Sequence, residues 1–458
     1  MTVASIVSCH PIICSVWLLF FVAAAARMWI HWRFGFWAIQ PVFHVYDLPY
    51  YFASPRIILD MGAEGIRRGK YTDVARVSYV EMSAVSVSSG AASTRAATGY
   101  MYQQFMHLIR EHYLQRGENV FAPGWKHVMP YFEGHDAPCF LSVYNKPECL
   151  AYHGIGGAES TQVCLRSAVI GAITSRPLTV WFSDVGVIPA YYVDYLCVNR
   201  RHRKSGIAQT LIQTHEYYQR RGSRGAIQVS LFKREDELTG IVPLCVYSTY
   251  GVMLSSLSLG LAGSSGAALA GCSLLKITPS AHLSLYVDAI AAAKTEGRHD
   301  VVITPALTNV MGLLTSGNIF MYALVNGGRT IGVYLFRDSA VSVARDTPVL
   351  SSFCSLWCEP GGDLPTGKAH LRESKEDVEM FVAGWHHVCR AIAVAEFTGV
   401  RDVCVAVESI GDNTRIVSDI ISGGGGGRSG EIIVSPTAYF LYNYIHPTVS
   451  ASRCLIIN

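Results

Sequence analysis

The segment Tyr192–Tyr218, YVDYLCVNRRHRKSGIAQTLIQTHEYY, restricts the fold more than any other part of the chain. Val193, Tyr195, Leu196, Cys197 and Val198 are β-branched, aromatic or otherwise apolar, as a buried strand requires. Asn199–Ser205 then crowds Arg200, Arg201, Arg203 and Lys204 beside His202. Gly206 has no Cβ, so a ligand can approach its backbone closely. From Ile207 onward, Ile207, Ala208, Leu211 and Ile212 share one helical face. A strand leading through a basic turn into a helix N-terminus makes a phosphate site, because the first N–H groups of a helix lack partners.

The pattern Arg203-x-x-Gly206-x-Ala208 after a strand resembles the pyrophosphate loop of GNAT-type acyl-CoA transferases. The preceding Asp194-Tyr195-Leu196-Cys197-Val198 resembles one branch of them more closely, the glycylpeptide N-myristoyltransferase family. Three further segments carry that resemblance. Phe36-Trp37-Ala38-Ile39-Gln40-Pro41-Val42 is similar to the family's N-terminal aromatic pair followed by Thr-Gln-Pro-Val, with Ile39 in place of Thr. Glu111-His112-Tyr113 with Glu118-Asn119-Val120-Phe121 resembles its loop of Tyr, acidic run, Asn, apolar residue and Phe. Tyr439-Phe440-Leu441-Tyr442-Asn443-Tyr444 resembles its aromatic strand ending in Tyr-Asn-Trp. The matches fall in the family's order, and the sequence between them is divergent.

At 458 residues the chain exceeds one ordinary domain. Half of it is apolar and 16% is charged, which marks a folded, core-rich protein. A net charge of +3 gives no ground for a nucleic-acid partner. The 13 cysteines follow no regular spacing and sit mostly in apolar contexts, which reads as reduced thiols in a cytosolic domain. Cys354 and Cys358, with His386 and His387 downstream, do not have the spacing of a zinc ribbon or finger, and no metal is expected.

Residues 11–26, PIICSVWLLFFVAAAA, are apolar, and extended back to Ser5 the run is long enough to cross a bilayer, though His10 interrupts it. Three readings compete. A signal peptide accounts for Ala23–Ala26, but no Lys or Arg precedes the run. A buried core helix accounts for its shortness. A membrane anchor is preferred, because Arg27 and Arg33 follow the span and would hold the main body in the cytosol.

Residues 83–99 are small and polar and read as a flexible insertion. Residues 100–114 read as a helix, 163–182 as strands broken at Gly171 and Ser175-Arg176-Pro177, and 228–232 and 241–250 as further strands with a turn at Thr239-Gly240. Residues 251–272, rich in Ser, Gly, Ala and Leu, read as a linker. After it come a helix at 282–294, a strand pair at 320–325 and 330–336 around Gly327-Gly328, a helix at 378–396 and a strand at 403–407. Five glycines at 423–427 precede the aromatic strand. The expected architecture is α+β: two fused GNAT-like units in a saddle-shaped mixed sheet flanked by helices, after an N-terminal hydrophobic segment. Its parts are an anchor (1–30), an acyl-CoA-binding unit (31–250), a linker (251–276) and a peptide-binding unit (277–458).

The resemblance implies transfer of a myristoyl group from CoA to the N-terminal glycine of a protein or peptide by direct attack. Myristoyl-CoA is then a co-substrate, and no cofactor is permanently bound. The resemblance assigns the CoA phosphates to Arg203 and to the amides of Lys204, Ser205, Gly206, Ile207 and Ala208, and the nucleotide end to Phe36 and Trp37. It assigns the oxyanion hole to the amides of Tyr195 and Leu196, and the proton acceptor to the terminal carboxylate at Asn458. Asn119 and Thr239 fall to the peptide amine. Two departures stand out. The acidic loop is reduced to Gln115-Arg116-Gly117-Glu118, and Gly206 stands where the family has a basic residue. The alternatives are a GNAT acetyltransferase with a short donor, or a non-catalytic acyl-CoA-binding scaffold of the same fold.

Overall fold

The computed structural model describes residues 11–60, 66–82, 92–114, 119–152, 162–235, 240–257, 269–344, 346–358, 375–422 and 433–458. Thr239, the loop 115–118 and the glycine run 423–427 lie outside them.

Among the described residues the helices of ten or more residues are α1 (Pro11–Arg33), α2 (Ala92–His112), α3 (Ile207–Gly222), α4 (Leu283–Thr295), α5 (Leu307–Ser316), α6 (Lys375–Glu396) and α7 (Asn413–Ser422). In chain order the strands are β1 (Arg56–Ile57), β2 (Val77–Glu81), β3 (Val120–Phe121), β4 (Phe140–Tyr152), β5 (Gln162–Phe182), β6 (Gly186–Val198) and β7 (Val229–Glu235). The second half adds β8 (Cys245–Met253), β9 (Cys272–Ile277), β10 (Val301–Thr304), β11 (Ile319–Asn326), β12 (Arg329–Val343) and β13 (Thr347–Trp357). It ends with β14 (Cys404–Glu408), β15 (Ile433–Tyr442), β16 (Tyr444–Ile445) and β17 (Cys454–Ile456).

Fifteen strands form one mixed sheet, with β17-β10-β5-β6-β7-β15-β8-β14-β13-β12-β11-β9 as its main path. Each half supplies the same unit. β4, β5 and β6 form an antiparallel meander, α3 follows, and β7 returns parallel to β6. β11, β12 and β13 form a second meander, α6 follows, and β14 returns parallel to β13. A long crossover is what a parallel pair needs, and a helix supplies it both times. At the centre the halves interleave: β15 lies between β7 and β8, and β8 lies between β15 and β14. The sheet is therefore continuous across the middle of the chain.

Several elements differ from the sequence reading. β5 is a single strand of 21 residues. Gly171 makes no turn there. A Cβ on it would lie 2.8 Å from Leu211 Cδ1 and 3.1 Å from Ile207 Cγ2, so the glycine lets α3 pack down on the sheet. Pro177 lies where the neighbour of β5 changes, between Ser175, the last β5 residue paired with β4, and Thr179, the first paired with β10. Such a gap tolerates a residue without an N–H. Residues 92–99, expected as part of a flexible insertion, open α2, consistent with its alanines at 92, 96 and 97. Within 251–276, residues 251–253 end β8 and 272–276 lie in β9.

α1 projects from this body. Leu18, Leu19, Phe20 and Phe21 are 60–69% exposed, and the apolar window of the helix is 6% buried. Its far end is fixed, because Ile30 is buried and a Cβ on Gly240 would lie 2.8 Å from Ile30 Cγ2.

Candidate active site

The site begins where two parallel strands part. β6 and β7 pair only from Ala190↔Val229 to Val193↔Phe232, although β6 continues to Val198 and β7 to Glu235. Beyond that point the register of β6 on β5 slips. Ala172 faces Cys197 and Thr174 faces Asp194, so Ile173 stands opposite both Tyr195 and Leu196. This β-bulge puts Tyr195 at φ +48°, an uncommon conformation for a residue with a Cβ. Packing holds it there: the Tyr195 ring meets Phe105 edge-on at 5.8 Å and also touches Tyr113, Phe121 and Phe132.

The sequence expectation pairs the amides of Tyr195 and Leu196. The Tyr195 N–H donates to the Asp194 carboxylate at 2.7 Å, and the Tyr113 hydroxyl donates to the same oxygen at 3.3 Å. Leu196, 38% exposed, lines both of the cavities described here.

The smaller cavity, about 530 Å³, lies over the basic turn. Asn199 caps the turn by accepting from the Arg201 N–H at 3.0 Å. Lys204 and Gly206 both take positive φ, +64° and +83°. A Cβ on Gly206 would meet only Gln209 Oε1, at 3.4 Å, so backbone conformation and not space calls for glycine. α3 starts with no side-chain cap and no acidic residue in its first turn, leaving its first N–H groups toward this cavity. Arg203, Lys204, Gly206, Ile207 and Ala208 line it; Ser205 does not. Arg203 also has a structural task. Its Nε donates to the Val198 carbonyl at 3.2 Å, and a terminal nitrogen donates to the His112 carbonyl at 2.7 Å, closing the end of α2.

The larger cavity, about 930 Å³, runs beneath the bulge and contains Tyr195, Leu196, Trp37 and Asn458. Trp37 stacks on Phe232 with centroids 5.4 Å apart. Phe36 is buried against Trp37 and Tyr71 and lines neither cavity. Asn119 is exposed and lines neither.

Lining this cavity is a charged group absent from the sequence reading. Glu408 accepts from Lys233 Nζ at 3.2 Å and from the Tyr247 hydroxyl at 2.8 Å. Arg337 donates to Asn458 Oδ1 at 3.2 Å, and Asn458 Nδ2 donates to the Tyr439 hydroxyl at 3.0 Å. Burial pushes the Glu408 carboxyl up, but Lys233, Arg337 and the Tyr247 hydrogen bond more than offset it and hold it below the usual range. Burial pulls Lys233 down; Glu408 together with Tyr439 and Glu235 outweighs it, and the ammonium is held above its ordinary value. The sequence signal was there, a charge directly after an apolar strand residue at Phe232-Lys233, Phe336-Arg337 and Val407-Glu408.

α3 lines the same cavity. His215 is buried, with Nδ1 2.8 Å from Ser142 Oγ, and burial pulls its imidazole down to about 3. Beside it are Glu216, ion-paired to Arg220, and Gln219. Among the described residues, no group of three or more His, Cys, Asp and Glu side chains is placed to hold a metal ion.

A meander, a helix and a parallel returning strand, occurring twice in one sheet, define a duplicated GNAT-type fold. The particular form is the N-myristoyltransferase fold. A crystal structure of Saccharomyces cerevisiae N-myristoyltransferase with bound myristoyl-CoA matches 91% of this chain and 94% of its own, with a TM-score of 0.59 and 12% identity. A structure of the same yeast enzyme with myristoyl-CoA and inhibitors matches at a TM-score of 0.60, with 12% identity and 91% of each chain covered. At that identity the shared property is the fold. No protein-family model and no curated protein matches the sequence.

Proposed function

We propose that this chain transfers an acyl group from acyl-CoA to the N-terminal glycine of a peptide. One observation carries the reading: the basic turn at the start of α3 and the larger cavity meet at Leu196, on a β-bulge. CoA phosphates on the turn would place a thioester at the bulge, where the fold's yeast representative gives tetradecanoyl as the reference acyl group. The Leu196 amide is the oxyanion donor in this scheme. The Tyr195 amide, held by Asp194, fixes the bulge. The amine enters beside Glu408 and Asn458, and the main-chain carboxylate at Asn458 takes its proton. The attack is direct: the deprotonated amine nitrogen bonds to the acyl carbon, the C–S bond breaks, and the second N–H proton passes to the departing sulfur, so that CoA leaves as the thiol.

Incubation with CoA thioesters of graded length and a Gly-x-x-x-Ser peptide tests the proposal, the peptide gaining the acyl mass. Acyl-CoA binding without transfer would favour the scaffold reading, for which the engaged Tyr195 amide is the motivating observation.

Gly206→Glu puts an anion beside the phosphates and strains the +83° backbone. CoA affinity should fall more than tenfold, about 1.4 kcal/mol. Gly206→Ala, which keeps the strain without the charge, should lose less. Unchanged calorimetric affinity for CoA in folded Gly206→Glu would remove the turn from the site.

We further propose that α1 anchors the protein in a membrane with the sheet on the cytosolic side. Its exposed apolar surface is too large to leave in water, and the body does not cover it. Deleting residues 1–26, which keeps Ile30 on Gly240, should give a detergent-independent, folded protein that still binds CoA. Aggregation of that protein would end the anchor reading.

A further inference from the structure

The larger cavity has a polar wall where an acyl chain would lie. Ile212, His215, Glu216 and Gln219 follow the i, i+3, i+4, i+7 pattern on α3, the stripe that a helix bordering a hydrocarbon would fill with apolar side chains. Only Ile212 is apolar. The stripe covers about 10 Å of helix, starting six residues beyond Gly206 in the phosphate turn. His215 and Gln219 are 1% and 2% exposed, and both face the cavity. His215 Nε2 and Gln219 Nε2 are buried without a hydrogen-bond partner. His215 cannot turn this atom inward to Ser142, because Nδ1 already takes that contact.

Buried polar atoms need partners, and a saturated chain offers none. If water satisfies them, the chain must displace it without replacing its hydrogen bonds. The same cavity also presents Ile173, Val193, Phe232 and Trp37, whose apolar side chains suit the methylenes. The cavity thus offers a chain both apolar side chains and, along α3, hydrogen-bonding ones.

Resting on the acyl-CoA reading above, we infer that this site takes an acyl group whose chain carries a hydrogen-bonding substituent, a hydroxyacyl or oxoacyl thioester. His215 and Gln219 act as its specificity determinants. An unbroken saturated chain is the disfavoured donor.

The test uses the full chain in detergent and measures affinities by calorimetry for CoA, acetyl-CoA, tetradecanoyl-CoA and tetradecanoyl-CoA hydroxylated at successive chain positions. For at least one position, the hydroxylated thioester should bind tenfold or more tightly than the saturated one and than acetyl-CoA. Gln219→Leu should cut that preference below threefold. His215→Leu/Gln219→Leu should reverse it; the single variant guards against misfolding of the double, which leaves Ser142 unpaired. Equal or tighter binding of tetradecanoyl-CoA, equal binding of acetyl-CoA, or a preference untouched in Gln219→Leu would overturn the inference while the acyl-CoA reading stands. Failure of CoA itself to bind would overturn that reading, and this inference with it.

Discussion

Lys233→Met should destabilise the fold by about 3 kcal/mol, because it leaves Glu408 as a buried carboxylate without its nearest cation. Lys233→Met/Glu408→Leu should regain most of that loss, since replacing both members of a buried pair by apolar side chains is often neutral. Urea denaturation of the two variants reads the difference. The pH dependence follows from the shifts. The Glu408 carboxyl is held below its ordinary 4.5, so its stabilising contribution is present above 4.5 and is lost as pH falls through the depressed value. The Lys233 ammonium is held above 10.5, so its contribution is present below 10.5 and is lost as pH rises through the raised value. Between those limits the wild-type contribution is flat. In Lys233→Met, Glu408 loses its strongest cationic neighbour and becomes easier to protonate. The deficit should therefore shrink as pH is lowered toward 5. A deficit below 1 kcal/mol, or one independent of pH, would mean that the pair is effectively solvated.

That pair shows what the sequence reading missed. The basic turn was legible because its residues are close in sequence: Arg203, Gly206 and Ala208 sit on one strand-to-helix connection. The bulge at Tyr195-Leu196 was legible by resemblance, being part of the same run. Lys233, Arg337 and Glu408 lie on β7, β12 and β14, and only the interleaving of β15 and β8 at the centre of the sheet brings them together. Each alone reads as a solvated charge at a strand end. The polar stripe of α3 was hidden for another reason. Ile207 and Leu211 identify one buried face, against β5, and a helix on a sheet is expected to expose the rest. Here His215 is buried as well, its Nδ1 2.8 Å from Ser142 Oγ on β4, and so is Gln219 one turn further on. Hydrophobic periodicity cannot register a buried face made of polar residues.

Asn458 carries the other large expected effect. The carboxylate of a chain end has an ordinary pKa of about 3.5, a weak base for an ammonium near 8, and burial raises a carboxyl toward useful basicity. Asn458 is 8% exposed and lies in the larger cavity with Arg337 and Tyr439 on its side chain. The sequence alone gave that side chain no task. With two hydrogen bonds lost, to half-buried Arg337 and buried Tyr439, Asn458→Ala should cost about 1–2 kcal/mol of stability and loosen the main chain at the site. Appending glycines after Asn458 is the sharper experiment. Each residue displaces the carboxylate by about 3.3 Å along an extended path while the Asn458 side chain stays in place. Turnover should fall by about 10²-fold, the lower range for a positioned general base, with CoA affinity unchanged because the basic turn proposed to hold CoA is untouched. Glu408→Gln supplies the competing arm, since Glu408 is a second carboxylate in the same cavity. Held ionised by Lys233, Arg337 and Tyr247, it is a poor proton acceptor, and its loss should lower stability more than turnover. Full activity in the extended chain together with a 10²-fold loss in Glu408→Gln would move the base to Glu408.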